Sequence, residues 1–270
     1  MGDNMIRKAI EIDDHTSNGK FSNSIGYKDI NTQVLKNIAD DSNLKFVQMS
    51  KNLPDQALAA VDEVLNVRPD LIFRIYGMYK DAPFDLSRLL KLKNLQRLYI
   101  DFLQKKGYDR FESIDSLSEL KSLRAFYADV SGNIDLVFIS EFNSLESLYI
   151  YLEFGKIVID QTCFNSELLR EVHLGGKAVD YLELIPDNKQ LSKLDIFSSK
   201  KSDYSFVSRL DINELCFVNC TGLNASAVPS NNRIKVLKIV DSKYDDSFVS
   251  AFSNLQEFKY YRSIASYESE

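Results

Sequence analysis

A seven-residue frame recurs along this chain and leaves few folds open to it. Its clearest copy is Leu95-Gln-Arg-Leu-Tyr-Ile-Asp101, with apolar residues at Leu95, Leu98 and Ile100. The step of two is strand alternation, so Leu98 and Ile100 point one way and Arg97, Tyr99 and Asp101 the other. The frame returns at Leu123/Phe126/Ala128, Leu145/Leu148/Ile150, Leu169/Val172/Leu174 and Leu191/Leu194/Ile196. It continues at Ile212/Leu215/Phe217, Ile234/Leu237/Ile239 and Leu255/Phe258/Tyr260. Upstream it fits Leu44/Val47/Met49 and, with Asp70 in the opening position, Phe73/Ile75. From Leu123 the starts lie 22, 24, 22, 21, 22 and 21 residues apart. One such period cannot bury its own apolar face, so neighbouring coils must stack to share a core.

This pattern divides the chain. Residues 44–263 carry the repeat and form one elongated unit, because each coil touches only its neighbours. Residues 1–43 lack the frame. There Met5–Ile12 alternates like a strand, Ser-Asn-Gly signals a turn, and Phe21–Tyr27 offers a returning strand. Ile30, Val34, Leu35 and Ile38 then fall at helical spacing. The segment is expected to be an N-terminal cap, a strand hairpin plus helix, that covers the first coil's apolar edge. Residues 264–270 are a short polar tail.

Within the repeat, Leu53-Pro54-Asp55 opens a helix with Leu58, Val61, Val64 and Leu65 on one stripe, ending near Arg68-Pro69. A second helix is expected over Asp85–Leu92. Leu103–Phe111 reads as a polar insertion. Later coils have room only for single turns, 3₁₀ pieces or extended backbone. Ser205-Phe-Val-Ser208 and Ser247-Phe-Val-Ser250 are identical and two periods of 21 apart, so they should hold the same place in alternate coils.

These L-x-x-L-x-L coils resemble leucine-rich-repeat proteins over about four-fifths of the chain, and most closely the short repeats of bacterial internalin-like proteins. In that family an Asn or Cys eight residues after the first Leu bonds the turning backbone. Asn52 and Cys220 stand at that position here, Ser131, Ser199, Ser242 and Ser263 replace it, and Leu103, Glu153 and Lys177 depart from it. The resemblance implies an α/β fold: a right-handed leucine-rich-repeat solenoid with a parallel sheet on its concave face. Hydroxyls cap fewer backbone groups than amides, so the turns should be less regular.

In such a sheet the strands stack about 4.8 Å apart, and their outward side chains form columns. The central column reads Gln48, Arg74, Tyr99, Tyr127, Tyr149, His173, Asp195, Cys216, Lys238 and Lys259. The next reads Ser50, Tyr76, Asp101, Asp129, Tyr151, Gly175, Phe197, Val218, Val240 and Tyr261. Tyr76, Tyr99, Tyr127, Tyr149 and Tyr151 are therefore expected to make an aromatic patch, edged by Asp101, Asp129 and Glu153. His173 and Asp195 follow in the central column. Tyrosines are also simply at home in strands, where they stack on one another; on an open face they are equally the residues that dominate protein–protein hot spots.

Charge and composition narrow the function. The net charge of −6 disfavours sequence-independent nucleic-acid binding. From Asp101 to Asp160 eleven acidic residues face six basic ones, which favours a basic partner surface. No apolar run is long enough to span a bilayer, and the N-terminus lacks the apolar core of a signal peptide. Three cysteines, an odd number, suit a reducing compartment. A cytoplasmic location, no membrane association and a monomer are the expectations.

Catalytic signals are poor. His15 and His173 are the two histidines, and Cys216 with His173 would lie near 10 Å apart by ladder spacing. Asp13-Asp14-His15 sits in a polar turn and reads as solvated rather than metal-ligating. No phosphate-binding glycine loop is present. The chain thus reads as a protein-binding module with no cofactor, metal or catalytic residue. An acidic binder without a secretory signal resembles a bacterial inhibitor or immunity protein that occupies a basic toxin or effector. The alternatives are a scaffold that self-associates through the Tyr260/Tyr261 edge, and a hydrolase using the concave carboxylates.

Overall fold

The inward positions of the frame are the core. Nine consecutive pairs, from Val47/Met49 to Leu237/Ile239, have no solvent exposure in the computed structural model. Burying one such aliphatic side chain contributes about 1.5–3 kcal/mol, so each coil is held mainly by this pair and its neighbours. The structure describes residues 9–15, 23–76, 83–102, 111–228 and 233–268. They fall into two compact units: Met1–Asp129 with Glu141–Ser144, and Val130–Ser140 with Leu145–Glu270.

The first unit contains strands β1 (Ala9–Asp13), β2 (Ser24–Gly26), β3 (Phe46–Met49), β4 (Ile72–Ile75), β5 (Phe84–Asp85), β6 (Arg97–Phe102) and β7 (Phe111–Glu112), with the start of β8 (Ala125–Asp135). The main sheet runs β2-β1-β3-β4-β6-β8, and β5 pairs with β7 apart from it. Helix α1 (Thr32–Asp40) begins at Asn31, whose side chain accepts from the amides of Gln33 and Val34. Helix α2 (Asp55–Val67) buries Leu58, Val61, Val64 and Leu65, the stripe expected from the sequence. It stops at Arg68, just before Pro69. The Arg68 guanidinium then donates to the carbonyls of Ile38, Asp41 and Leu44, satisfying groups at the end of α1.

In the second unit β8 is followed by β9 (Ser147–Val158), β10 (Glu171–Gly176), β11 (Gln190–Phe197), β12 (Asp211–Val218), β13 (Val236–Val240) and β14 (Glu257–Tyr261), in that spatial order. The register from β9 to β14 is parallel throughout. Two short helices, α3 (Asp246–Val249) and α4 (Ile264–Glu268), complete the unit. The connections are otherwise 3₁₀ turns such as Gln161–Phe164, Lys177–Leu184 and Ser205–Arg209, as the short period requires. The two Ser-Phe-Val-Ser segments do hold equivalent places. Each follows an Asp that accepts from the first Ser amide, and each buries its Phe. No described helix is long and apolar enough to cross a membrane.

Several expectations need correction. β1 and β2 are parallel, not the two arms of a hairpin, and β1 pairs with β3, so the N-terminal segment extends the sheet instead of only covering it. Residues 16–22, with the Ser-Asn-Gly turn, lie outside the described residues, as do 103–110 of the expected insertion. The helix expected over Asp85–Leu92 is a 3₁₀ stretch, Leu86–Lys91, started by the Asp85 side chain. Asn52 does not join a buried turn ladder. It is exposed, donates to the Pro83 carbonyl and accepts from Arg88. Ser263 is likewise exposed and accepts from the Ser266 amide at the start of α4.

The bends within β8 and β9 depend on glycine. Gly132 and Gly155 have φ of 96° and 95°, a region L side chains rarely adopt. A Cβ on Gly155 would lie 2.0 Å from the Gly132 carbonyl oxygen. Gly155→Ala should therefore destabilise the protein by more than about 2 kcal/mol in urea unfolding, since backbone and not a side-chain tip must give way. Lys156→Ala, one residue on and exposed, is the control and should fall within about 0.5 kcal/mol of wild type. Equal effects of the two would refute this reading of the bend.

Candidate protein-binding face

Each unit offers the outward side chains of its parallel strands. In the first, β1, β3, β4 and β6 stack Glu11, Gln48, Arg74 and Tyr99 in one column, as the strand register requires. The Arg74 guanidinium lies over two rings, 4.5 Å from the centre of Tyr76 and 5.0 Å from that of Tyr99. Gln48 Nε2 donates to the Tyr76 hydroxyl, which donates to Glu11 at 2.9 Å. Ser50 also donates to Glu11, through its amide and its hydroxyl. Burial, with Glu11 beside it, pushes the Tyr76 phenol up to about 12.

Tyr99 departs from its expected role. The ring is only 7% exposed, its hydroxyl donates to Asp129, and it lies 6.2 Å from Tyr127. Burial and the adjacent Asp129 raise its pKa. Tyr99 therefore packs beside Tyr127 and exposes little surface of its own; Tyr127, Asp101 and Asp129 are half-buried.

In the second unit Tyr149 and Tyr151 are half-buried and are brought together by a residue the sequence placed in the column but not in the patch. Phe197 leans across Gly175 and stacks on both, at 5.1 Å from Tyr149 and 5.9 Å from Tyr151. Gly175 makes this stack possible, because a Cβ there would stand 2.0 Å from the Phe197 ring. Glu153, further along β9, is exposed.

His173 and Asp195 are adjacent but committed to each other. His173 Nδ1 is 2.7 Å from Asp195 Oδ2, and its Nε2 faces Glu171 at 3.9 Å. Lys193 bridges Asp195 at 3.1 Å to Glu214 at 3.9 Å, and Lys238 reaches Glu214 at 3.0 Å. Burial disfavours the imidazolium, yet Asp195 and Glu171 outweigh it and push the His173 pKa up to about 9. Burial likewise opposes ionisation of Asp195, but His173 and Lys193 hold its carboxyl below the usual range. Three acids and three bases alternate here, so this stretch of the face is electrically matched.

The chain's own end covers the last strands. Ile264 and Tyr267 of α4 pack on Cys216, Val240 and Tyr261, with the Tyr267 and Tyr261 rings 5.3 Å apart. Residues 264–270 read as a polar tail, yet Ile264 and Tyr267 stand at the i, i+3 spacing of one helical face.

The turns that hold these columns are decisive. Cys220 donates its thiol to the carbonyls of Ile196 and Val218, and its amide donates to the Ser242 hydroxyl, which caps the Val240 carbonyl. Ser131 and Ser199 are buried at the equivalent places. The stacked parallel strands, repeated inward pairs and repeated turns make a leucine-rich-repeat fold. Its leucine-rich-repeat coils are similar to an internalin (inlF) from Listeria monocytogenes, at 18% identity over 84% of this chain and 70% of that one, with a TM-score of 0.43. An internalin C2 (inlC2) from the same species is 15% identical over 77% of this chain and 84% of that one, with a TM-score of 0.37. The leucine-rich-repeat ectodomain of the Arabidopsis thaliana receptor kinase GASSHO1/SCHENGEN3 is 11% identical over 83% of this chain and 33% of that one, at a TM-score of 0.25. No family model matches the sequence, and no curated protein sequence does.

The three cysteines are poorly placed as nucleophiles. Cys163, Cys216 and Cys220 are all buried, and burial raises each thiol above its ordinary pKa. Asp13, Asp14 and His15 do cluster within 4.8 Å, but Lys51 supplies the cation there, 2.7 Å from Asp13 and 3.5 Å from Asp14.

The raised pKa of His173 predicts a pH dependence of stability. Its ordinary value is 6.5, so the stabilisation from the charged ring is complete below about pH 6.5 and is lost as pH rises through about 9. The stability difference between wild type and His173→Gln should shrink by about 2–3 kcal/mol between pH 6 and pH 10 in urea unfolding. A difference independent of pH would contradict the ion pair.

Proposed function

We propose that this chain binds another protein through the outward face of its sheet, with aromatic side chains as anchors. The observation that carries this is the packing of half-buried tyrosines on rigid supports: Tyr149 and Tyr151 on Phe197, and Tyr127 on Tyr99. Rings already held in place lose little freedom on binding, which is what makes Tyr effective at hot spots. The binding residues are Tyr76, Tyr127, Asp101 and Asp129 in the first unit, and Tyr149, Tyr151 and Glu153 in the second. Tyr99, His173 and Asp195 position them.

The favoured partner has a basic surface, given the net charge of −6 and the exposed Glu153. We infer a cytoplasmic inhibitor or immunity role, in which the partner is a basic toxin or effector of the same cell. Affinity capture with wild type and with a Tyr127→Ala/Tyr149→Ala/Tyr151→Ala variant tests the reading, followed by calorimetry with the captured protein. We expect a basic partner and at least a hundred-fold loss of affinity in the variant, from about 1–2 kcal/mol or more at each ring. The variant should keep its cooperative unfolding. Unchanged capture would exclude these rings as the site, and a partner whose affinity ignores salt would exclude the electrostatic part.

A further inference from the structure

The last strand of the sheet is open in a way the other coils are not. Among the described residues β14 ends the strand order and pairs with β13 alone. Phe258 and Tyr260 hold the inward positions that are fully buried in nine preceding coils, yet they are 37% and 45% exposed. Tyr244 packs edge-on against both, at 5.8 and 5.2 Å, so three aromatic rings border one side of the strand. Of the edge expected from the sequence, Tyr260 is exposed but Tyr261 is buried under α4.

The backbone of this strand has a defined polarity. The Glu257 amide donates to Lys235, and the Tyr261 carbonyl accepts from Asp241. Groups of residues 257, 259 and 261 therefore face β13, and by alternation those of Phe258 and Tyr260 face outward. An exposed apolar edge of this kind is a template for another strand.

We propose that β14 pairs antiparallel with β14 of a second copy of this chain, about a two-fold axis through Phe258. Charge selects both the occupant and the register. Glu257 and Lys259 lie two residues apart on the same face of the strand, 3.1 Å from each other. Centring the pairing on Phe258 sets Glu257 of each chain opposite Lys259 of the other, in the close, non-hydrogen-bonded pairs. It also sets Phe258 against its symmetry mate, where the outward amide and carbonyl of the two Phe258 residues pair with each other. Centring on Lys259 would instead oppose two like charges. A strand that carries one acid and one base in this spacing is its own complement, as an isologous interface requires. Such a dimer would differ from the monomer expected from the sequence, and it uses the edge of the last strand.

Sedimentation equilibrium over a dilution series of the full chain tests the proposal. Wild type should move from 30.9 kDa toward twice that mass as concentration rises. Glu257→Lys and Lys259→Glu should each weaken association by about ten-fold or more, because each variant alone opposes like charges. An equimolar mixture of the two restores both cross-strand pairs and should associate at least as tightly as wild type. So should the double variant Glu257→Lys/Lys259→Glu, which shows that either single variant loses association and not its fold. A wild-type mass that stays at 30.9 kDa at every concentration overturns the proposal. Single variants that associate like wild type, or a mixture that fails to recover, overturn it equally.

Discussion

The turn that follows each strand sets everything else in the second unit. Gly176, Ser198, Asn219 and Asp241 all have positive φ and lie 22, 21 and 22 residues apart. The amides of Ser198, Asn219 and Asp241 donate to the carbonyls of Val218, Val240 and Tyr261 in the next coil. One residue on, Ser199, Cys220 and Ser242 turn a hydroxyl or thiol into the core side of the bend. With the chain reversed at the same place each time, adjacent strands have no freedom of register. A slip of one residue would turn every inward side chain outward. The columns of the outward face are thus a consequence of the bends and not of any attraction among the side chains themselves.

That fixed register makes the face partly self-sufficient. Once His173, Asp195 and their flanking neighbours must lie a strand spacing apart, charges left unmatched would repel or be stranded in a poorly solvated layer. The chain answers by alternation, with Lys193 and Lys238 set against Asp195 and Glu214. In the first unit the same constraint puts the Arg74 guanidinium over the rings of Tyr76 and Tyr99. Both arrangements stiffen the surface while leaving aromatic edges at the top of it.

The architecture was legible in the sequence because the inward pair repeats at a fixed spacing, and burial of Val47/Met49 through Ile239 follows that spacing without a gap. The columns were legible for the same reason. Exposure within a column was not. Tyr99 and Tyr127 are identical by pattern, and only the neighbouring Arg74 and Asp129 decide that one is buried and the other half-buried. Phe197 was missed because its role depends on an absent side chain, that of Gly175. The pairing of β1 with β2 was misread since alternation signals a strand but not its direction.

The net charge of −6 and the charge of the face are separate quantities, and the difference bears on how a partner would be met. The outward columns of β10 to β13 are matched acid to base, whereas Glu112, Glu119, Glu141, Glu153 and Asp160 are exposed outside them. Charges at a rim act on the encounter: they raise the association rate and fade with salt. Buried rings act on the lifetime of the complex, because separating them exposes apolar area again. Exposed acids and half-buried rings would therefore divide the two tasks. In the second unit, a change to the exposed Glu153 would alter the association rate and leave dissociation nearly untouched, and changes to Tyr149, Tyr151 or the Phe197 stacked on them would do the reverse.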